Sequence, residues 1–208
     1  MTSRRRDRIN SALLGDARRQ AWSNLGLWRE GDTDYRVAAQ ALALQLAEQM
    51  PLQADAKVLD VACGYGTSLN LWYELGVRDI TGLEPQTACV HAWQADLRFQ
   101  CWLDNMQNLN LRAQGQTFEA IIAIDAAYQW DLQQWLQQAH AVLSPNGRLG
   151  FHFLLLAEIL PSALCGNDSA PACCCAWLGS KPASLKRNYR PLSTPKHLIH
   201  GQRCASPI

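Results

Sequence analysis

Five short apolar runs alternate with helix-like segments between residues 20 and 155, and that alternation limits the possible folds more than any other property of the chain. The runs are "AKVLDVA", "RDITGLEP", "LRFQCWLD", the stretch 120–124 inside "QTFEAIIAIDAAYQW", and "RLGFHFLLL". Between them lie segments with helical period or composition. "DTDYRVAAQALALQLAEQM" places Ala38, Leu42, Leu46 and Ala47 on one face, with Asp32, Thr33 or Asp34 as N-cap and Pro51 as its stop. "TSLNLWYELG" reads as a helix closed by Gly76, and "QTACVHAWQAD" as a short helix. "DLQQWLQQAHAVLSPNG" reads as a helix stopped by Ser144-Pro145-Asn146-Gly147. "SALLGDARRQAWSNLGLW" is weakly helical up to a break at Gly26. Strands that alternate with helices predict an α/β fold: a Rossmann-like, doubly wound, mostly parallel sheet of about five strands with helices on both faces.

In such sheets ligands bind beyond the carboxyl ends of the strands. Asp60 and the turn to Gly66 lie there, as do Glu84, Asp104 and Asp125. Gly64 and Gly66 let the backbone bend sharply and approach a ligand closely; a tight turn without a ligand is the alternative. A dinucleotide fingerprint needs a third glycine, but Gly64-Tyr65-Gly66 continues as Thr67, Ser68 and Leu69. A phosphate loop needs Gly-Lys-Ser/Thr, which the turn lacks. Asp60 at the turn's entrance repels a pyrophosphate and suits a ligand with a positive charge.

Composition narrows the class. The 208 residues, 48% apolar and 18% charged, fit one soluble globular domain with or without a tail. The net charge of +1 gives no reason to expect nucleic acid as a partner. No run reaches the roughly 18 apolar residues that cross a bilayer, so no membrane partner is expected. "MTSRRRDRIN" has no apolar run behind its arginines and reads as a solvated terminus rather than a secretory signal. Of the eight cysteines, Cys63, Cys89 and Cys101 sit inside apolar segments, and none belongs to a C-x-x-C pair. No metal and a reducing, cytoplasmic location are the expectations.

The turn reads Val58-Leu59-Asp60-Val61-Ala62-Cys63-Gly64-Tyr65-Gly66. It resembles the V-L-D-x-G-C-G-x-G motif of the class I S-adenosylmethionine-dependent methyltransferases, in particular the small-molecule enzymes of the type 11 kind. Over about residues 20–155 further segments are similar in the same order: "ITGLEP", "FEAIIAIDAAYQW", "AHAVLSPNGRLGF" and, upstream, "NLGLW". The resemblance implies S-adenosyl-L-methionine as cofactor. Asp60, Ala62, Cys63, Gly64 and Gly66 would hold its methionine part. Glu84 would accept from the ribose hydroxyls, and Asp104 and Asn105 would read the adenine amino group. Asp125 with Ala126 would face the cofactor and acceptor, with a helix N-cap as the rival role for Asp125. Relatives that place a histidine after the fourth-strand aromatic differ from this chain, which has Gln129 there, so no catalytic base is assigned. His140 in a helix and His152 in a strand read as satisfied structural histidines. Tyr128 and Trp130 are open between lining an acceptor pocket and packing the core.

Two departures stand out. Ala62 replaces the first glycine of the family's turn. After about Leu156 the expected acceptor segment and last two strands give way to a stretch with scattered prolines, a cysteine triplet and a basic balance. Residues 1–155 carry 13 Lys/Arg against 16 Asp/Glu, whereas 156–208 carry 6 against 2. A changed reading frame, or a truncated gene with unrelated coding behind it, is one account; a divergent native tail is the other. The expected organisation is a helical lid segment at 1–50, a cofactor-binding core at 51–156 and an irregular basic tail at 157–208, with the sheet lacking its usual last two strands. The expected activity is methyl transfer to an O, N or C atom of a small-molecule acceptor. The alternatives are an inactive truncated remnant that at most binds cofactor, and, from another class, a nicotinamide-dependent oxidoreductase.

Overall fold

The computed structural model describes residues 9–50 and 52–154, together with two further strands at 173–178 and 188–191. Five parallel strands form where the apolar runs lie: β1 Lys57–Val61, β2 Asp79–Leu83, β3 Phe99–Trp102, β4 Phe118–Ala123 and β5 Leu143–Leu154. The helices are α1 Tyr35–Gln49, α2 Thr67–Glu74, α3 Thr87–Val90, α4 Leu109–Ala113 and α5 Leu132–Val142. The strand order begins β3-β2-β1-β4-β5, so the order reverses between β1 and β4.

Burial on both faces explains why these runs are continuously apolar rather than alternating. Val58, Ile80, Ala120 and Ile122 pack with Ala39, Ala43 and Leu46 of α1 and with Leu69 and Trp72 of α2. From the same strands Leu59, Val61, Leu83 and Ile121 point to the other face. They pack there with Leu109 of α4 and with Trp135, Ala139 and Val142 of α5. Asp34 caps α1, its side chain accepting from the Arg36 amide, and Asp131 caps α5 by accepting from the Gln134 amide.

The structure departs from the sequence reading in three places. Residues 11–28 form no helix. The Asp16 carboxylate accepts from the Trp22 amide at 3.0 Å and from the Arg18 guanidinium at 2.7 Å. Such side-chain bonds to nearby backbone compete with helical ones. Second, Ser144-Pro145-Asn146-Gly147 does not separate α5 from β5. Leu143 is already extended and pairs with Phe118, and the pairing resumes at Arg148 with Ala120, so the turn-like residues lie within a bulge of β5. Third, the sheet does not stop at five strands. Cys173–Leu178 pairs antiparallel with β5 as β6, and Asn188–Pro191 pairs antiparallel with β6 as β7, completing a seven-stranded sheet. Both strands come from the stretch expected to be irregular. An uncovered β5 would present a row of unpaired backbone groups, and "CCCAWL" is compact and apolar enough to pair with it.

Candidate active site

Four loops at the carboxyl ends of β1 to β4 converge on a cavity of about 150 Å³. It lies at the point where the strand order reverses, as the physics of open α/β sheets requires. Asp60 enters from β1, Glu84 from the residue after β2, Asn105 from the loop after β3, and Asp125 from the loop after β4. The turn itself is pinned to β2, since the Ala62 amide donates to the Leu83 carbonyl at 2.7 Å.

Asp60 is fully buried. Its Oδ2 accepts from the Trp72 indole at 2.7 Å, while its Oδ1, also buried, has no hydrogen-bond partner among the described residues. Burial pushes this carboxyl up to about 6; the Ser68 hydroxyl and the Trp72 indole act against that shift, and the nearby Glu84 charge adds to it. Glu84 is equally buried. Its Oε2 accepts from the Gly64 amide at 3.1 Å and its Oε1 from the Gln86 amide at 2.9 Å. Asn105 lines the cavity with a buried, unpartnered Oδ1. An unpartnered buried oxygen is costly in an empty protein, so two of them on one cavity wall point to donors arriving with a ligand.

Asp125 is not a helix N-cap, because α5 begins six residues later on Asp131. Instead it holds φ at +50° and accepts from the Leu25 amide at 2.6 Å. Burial pushes its carboxyl up to about 6, and the hydrogen bond from Leu25 opposes that shift.

Ala62, Cys63 and Gly64 line the cavity; Asp104 and Gly66 are not among its lining residues. Asp104 folds back on its own loop, accepting from the Asn105 amide at 2.8 Å and the Asn108 side chain at 2.9 Å. Gly66 starts α2 in the left-handed region at φ +75°, with its back against the Trp93 ring. His140 is exposed on α5. His152 is buried, neither ring nitrogen has a partner among the described residues, and burial pushes it down to about 4. Tyr128 and Trp130 both line the cavity, and Trp130 also packs on Trp135 with ring centroids 5.0 Å apart.

Ala62 has φ +60°, where an L-residue carries strain of about 1–2 kcal/mol and glycine carries none. Replacing Ala62 by Gly is therefore expected to raise stability by about 1 kcal/mol after glycine's entropic cost. Thermal unfolding should show this as a gain of roughly 2–4 °C. A lower melting temperature would contradict the strain.

Sequence reasoning missed two parts of the site. Residues 20–25 run as a strap across the cavity's side. The Thr67 hydroxyl donates to the Gln20 carbonyl at 2.9 Å, Tyr35 donates to the Asn24 carbonyl at 2.8 Å, and Asp125 holds Leu25. Trp22 and Asn24 of this strap line the cavity. The second part is Trp93. Its one trace in the sequence is Gly82, a glycine inside a strand, which marks a close approach by another group.

Residues 58–147 match the family model described as a methyltransferase domain. The chain is 27% identical to the erythromycin 3''-O-methyltransferase of Saccharopolyspora erythraea over 161 residues, which are 73% of this chain and 51% of the relative. It is 26% identical to the 27-O-demethylrifamycin SV methyltransferase of Amycolatopsis mediterranei over 137 residues, 63% of this chain and 50% of the relative. The chain thus spans about half the length of the curated relatives it matches. Among solved structures, the 4+2 cyclase SpnF superimposes with a TM-score of 0.57 at 21% identity, covering 64% of this chain and 52% of that one. That likeness speaks for the fold alone, since one fold hosts several chemistries. In its glycine turn, its strand order and its family match, the segment 58–147 is thus similar to a methyltransferase domain.

Proposed function

We propose that this chain binds S-adenosylmethionine at the carboxyl ends of β1 to β4 and transfers its methyl group to an O, N or C atom of a small molecule. The observation that carries the reading is Asp60 Oδ1, a buried oxygen of a cavity-lining carboxylate with no hydrogen-bond partner among the described residues. Such an atom is stabilised by a cation, and the cofactor's ammonium is one. Glu84, already oriented by two backbone amides, retains lone pairs for the ribose hydroxyls. Asn105 Oδ1 is placed to accept from an adenine amino group. Asp104 supports that loop from outside the cavity through Asn105 and Asn108.

When bound, the cofactor supplies a methyl group on a sulfonium, which is already an activated leaving group. What remains for the protein is to align the acceptor and exclude water. Trp22 on the strap and Tyr128 and Trp130 after β4 give the acceptor end aromatic walls. No histidine lines the cavity among the described residues, and Asp125 is the carboxylate on this side. Both curated relatives act on oxygen by their names, which favours a hydroxyl among the possible acceptors. Among the described residues no helix is long and apolar enough to cross a membrane, and Cys63 and Cys101 form no disulfide there. Both observations support a cytoplasmic protein.

Calorimetric titration of S-adenosylhomocysteine into the full chain tests the reading, with NAD as the control. Micromolar binding of the first and none of the second is expected. Glu84→Gln, which keeps one acceptor oxygen but removes the charge, should weaken binding by about tenfold. A folded chain that binds neither ligand would leave only a remnant of the family.

A further inference from the structure

Trp93 meets the glycine turn at two points and β2 at a third. Its indole nitrogen donates to the Gly64 carbonyl at 3.0 Å. Its five-membered ring lies where a Cβ on Gly66 would stand, 2.6 Å away, and the far edge of its six-membered ring stands 2.8 Å from a Cβ built on Gly82. The side chain is 2% exposed, so its donor has no solvent to fall back on. Gly64 is consequently held on both sides of one residue, its amide by Glu84 and its carbonyl by Trp93.

The two holds are not equivalent. Glu84 belongs to the cavity wall, and ligand hydroxyls would share its lone pairs with the Gly64 amide. Trp93 is absent from the residues that line the cavity and acts from behind, so its hydrogen bond stays the same with or without ligand. From this we infer that Trp93 is a positioning residue: it fixes the turn in the form that binds ligand, and it does so through its N–H as well as its bulk. The inference rests on the cofactor reading of this cavity. In physical terms Trp93 prepays the ordering of the turn, and loss of that preorganisation appears as lost affinity.

Two replacements in the full chain separate the roles. Trp93→Phe shortens the ring and removes the donor. Incorporation of β-(3-benzothienyl)alanine at position 93 keeps the shape and removes only the N–H, so it serves where the phenylalanine variant does not fold. Phe118→Leu, a buried change at the opposite end of β4, is the control for a general loss of stability. At a temperature where all three chains are folded, either change at 93 should raise the S-adenosylhomocysteine dissociation constant by about tenfold, with the control near wild type. Amide exchange in the peptide spanning 62–66, followed without ligand, should be faster in the position-93 variants alone. A folded variant with wild-type affinity overturns the inference. If the unaltered chain binds no S-adenosylhomocysteine, the functional reading falls instead, and the exchange of the turn alone decides the role of Trp93: unchanged exchange rejects it.

Discussion

Asp60→Asn is expected to stabilise the ligand-free chain and to weaken S-adenosylhomocysteine binding strongly in the same step. The asparagine oxygen can still accept from the Trp72 indole, so that orienting hydrogen bond survives. What disappears is the buried charge. The folded protein holds the Asp60 carboxyl at about 6 against an ordinary 3.8. Keeping it ionised at pH 7.5 therefore costs about 3 kcal/mol, which the neutral amide avoids. The ligand meets the opposite situation. Its ammonium loses the charge that compensates its own desolvation, a change on the order of a hundredfold in affinity. Calorimetric titration and thermal unfolding on the same two samples read both effects. A variant that is less stable and binds normally would remove Asp60 from the cofactor site.

The sign with pH follows from linkage. A carboxyl whose folded value is raised lends stability in full below about 4, and that stability is lost as pH rises through about 6. Asparagine does not titrate. The stability of the Asp60→Asn chain relative to the unaltered one should therefore grow between pH 4 and 7 and level off above. Taking the difference matters, because two other buried groups titrate in the same window. Asp125, also held at about 6, acts in the same direction as Asp60. His152, pushed down to about 4, acts oppositely, its contribution being lost as pH falls. Both are common to the two chains and cancel.

The parts of the fold legible in the sequence are those set by local period. β1, β2 and β4 are apolar runs that are almost wholly buried, and α1 shows its buried stripe through Ala38, Leu42 and Leu46. Asp60, Glu84 and Asp125 were visible because strand ends carry function in this architecture and each acid ends a strand-like run. The strap at 20–25 was not visible. Its conformation is held by partners that are distant in sequence, Thr67 and Asp125 among them, and its own residues have a weakly helical composition. Asp104 was misread for a related reason. An acid at a strand end also suits the job of closing its own loop, and only the positions of Asn105 and Asn108 show that it took that job. The pairing of β6 with β5 depends on an open edge, which composition alone does not reveal.

Gly66 shows how one sequence signal can serve two purposes. Read as a sequence, the glycine lets backbone approach a ligand; in the structure it lets Trp93 approach the backbone. Gly66→Ala is expected to destabilise the chain by roughly 3 kcal/mol, combining about 1–2 kcal/mol for an L-residue in the left-handed region with the cost of overpacking against a buried ring. Gly76 provides the comparison, since it has φ +104° but nothing within 4 Å of an added Cβ. Gly76→Ala meets only the backbone penalty, so chemical denaturation should show the larger loss at Gly66. A smaller side chain at position 93 should then recover part of it: Gly66→Ala and Trp93→Leu together are expected to cost less than the sum of the two alone, because the leucine removes the ring that the new methyl strikes and the methyl fills part of the void that the leucine leaves. Strict additivity would mean that the backbone, and not the indole, sets the demand for glycine at the start of α2.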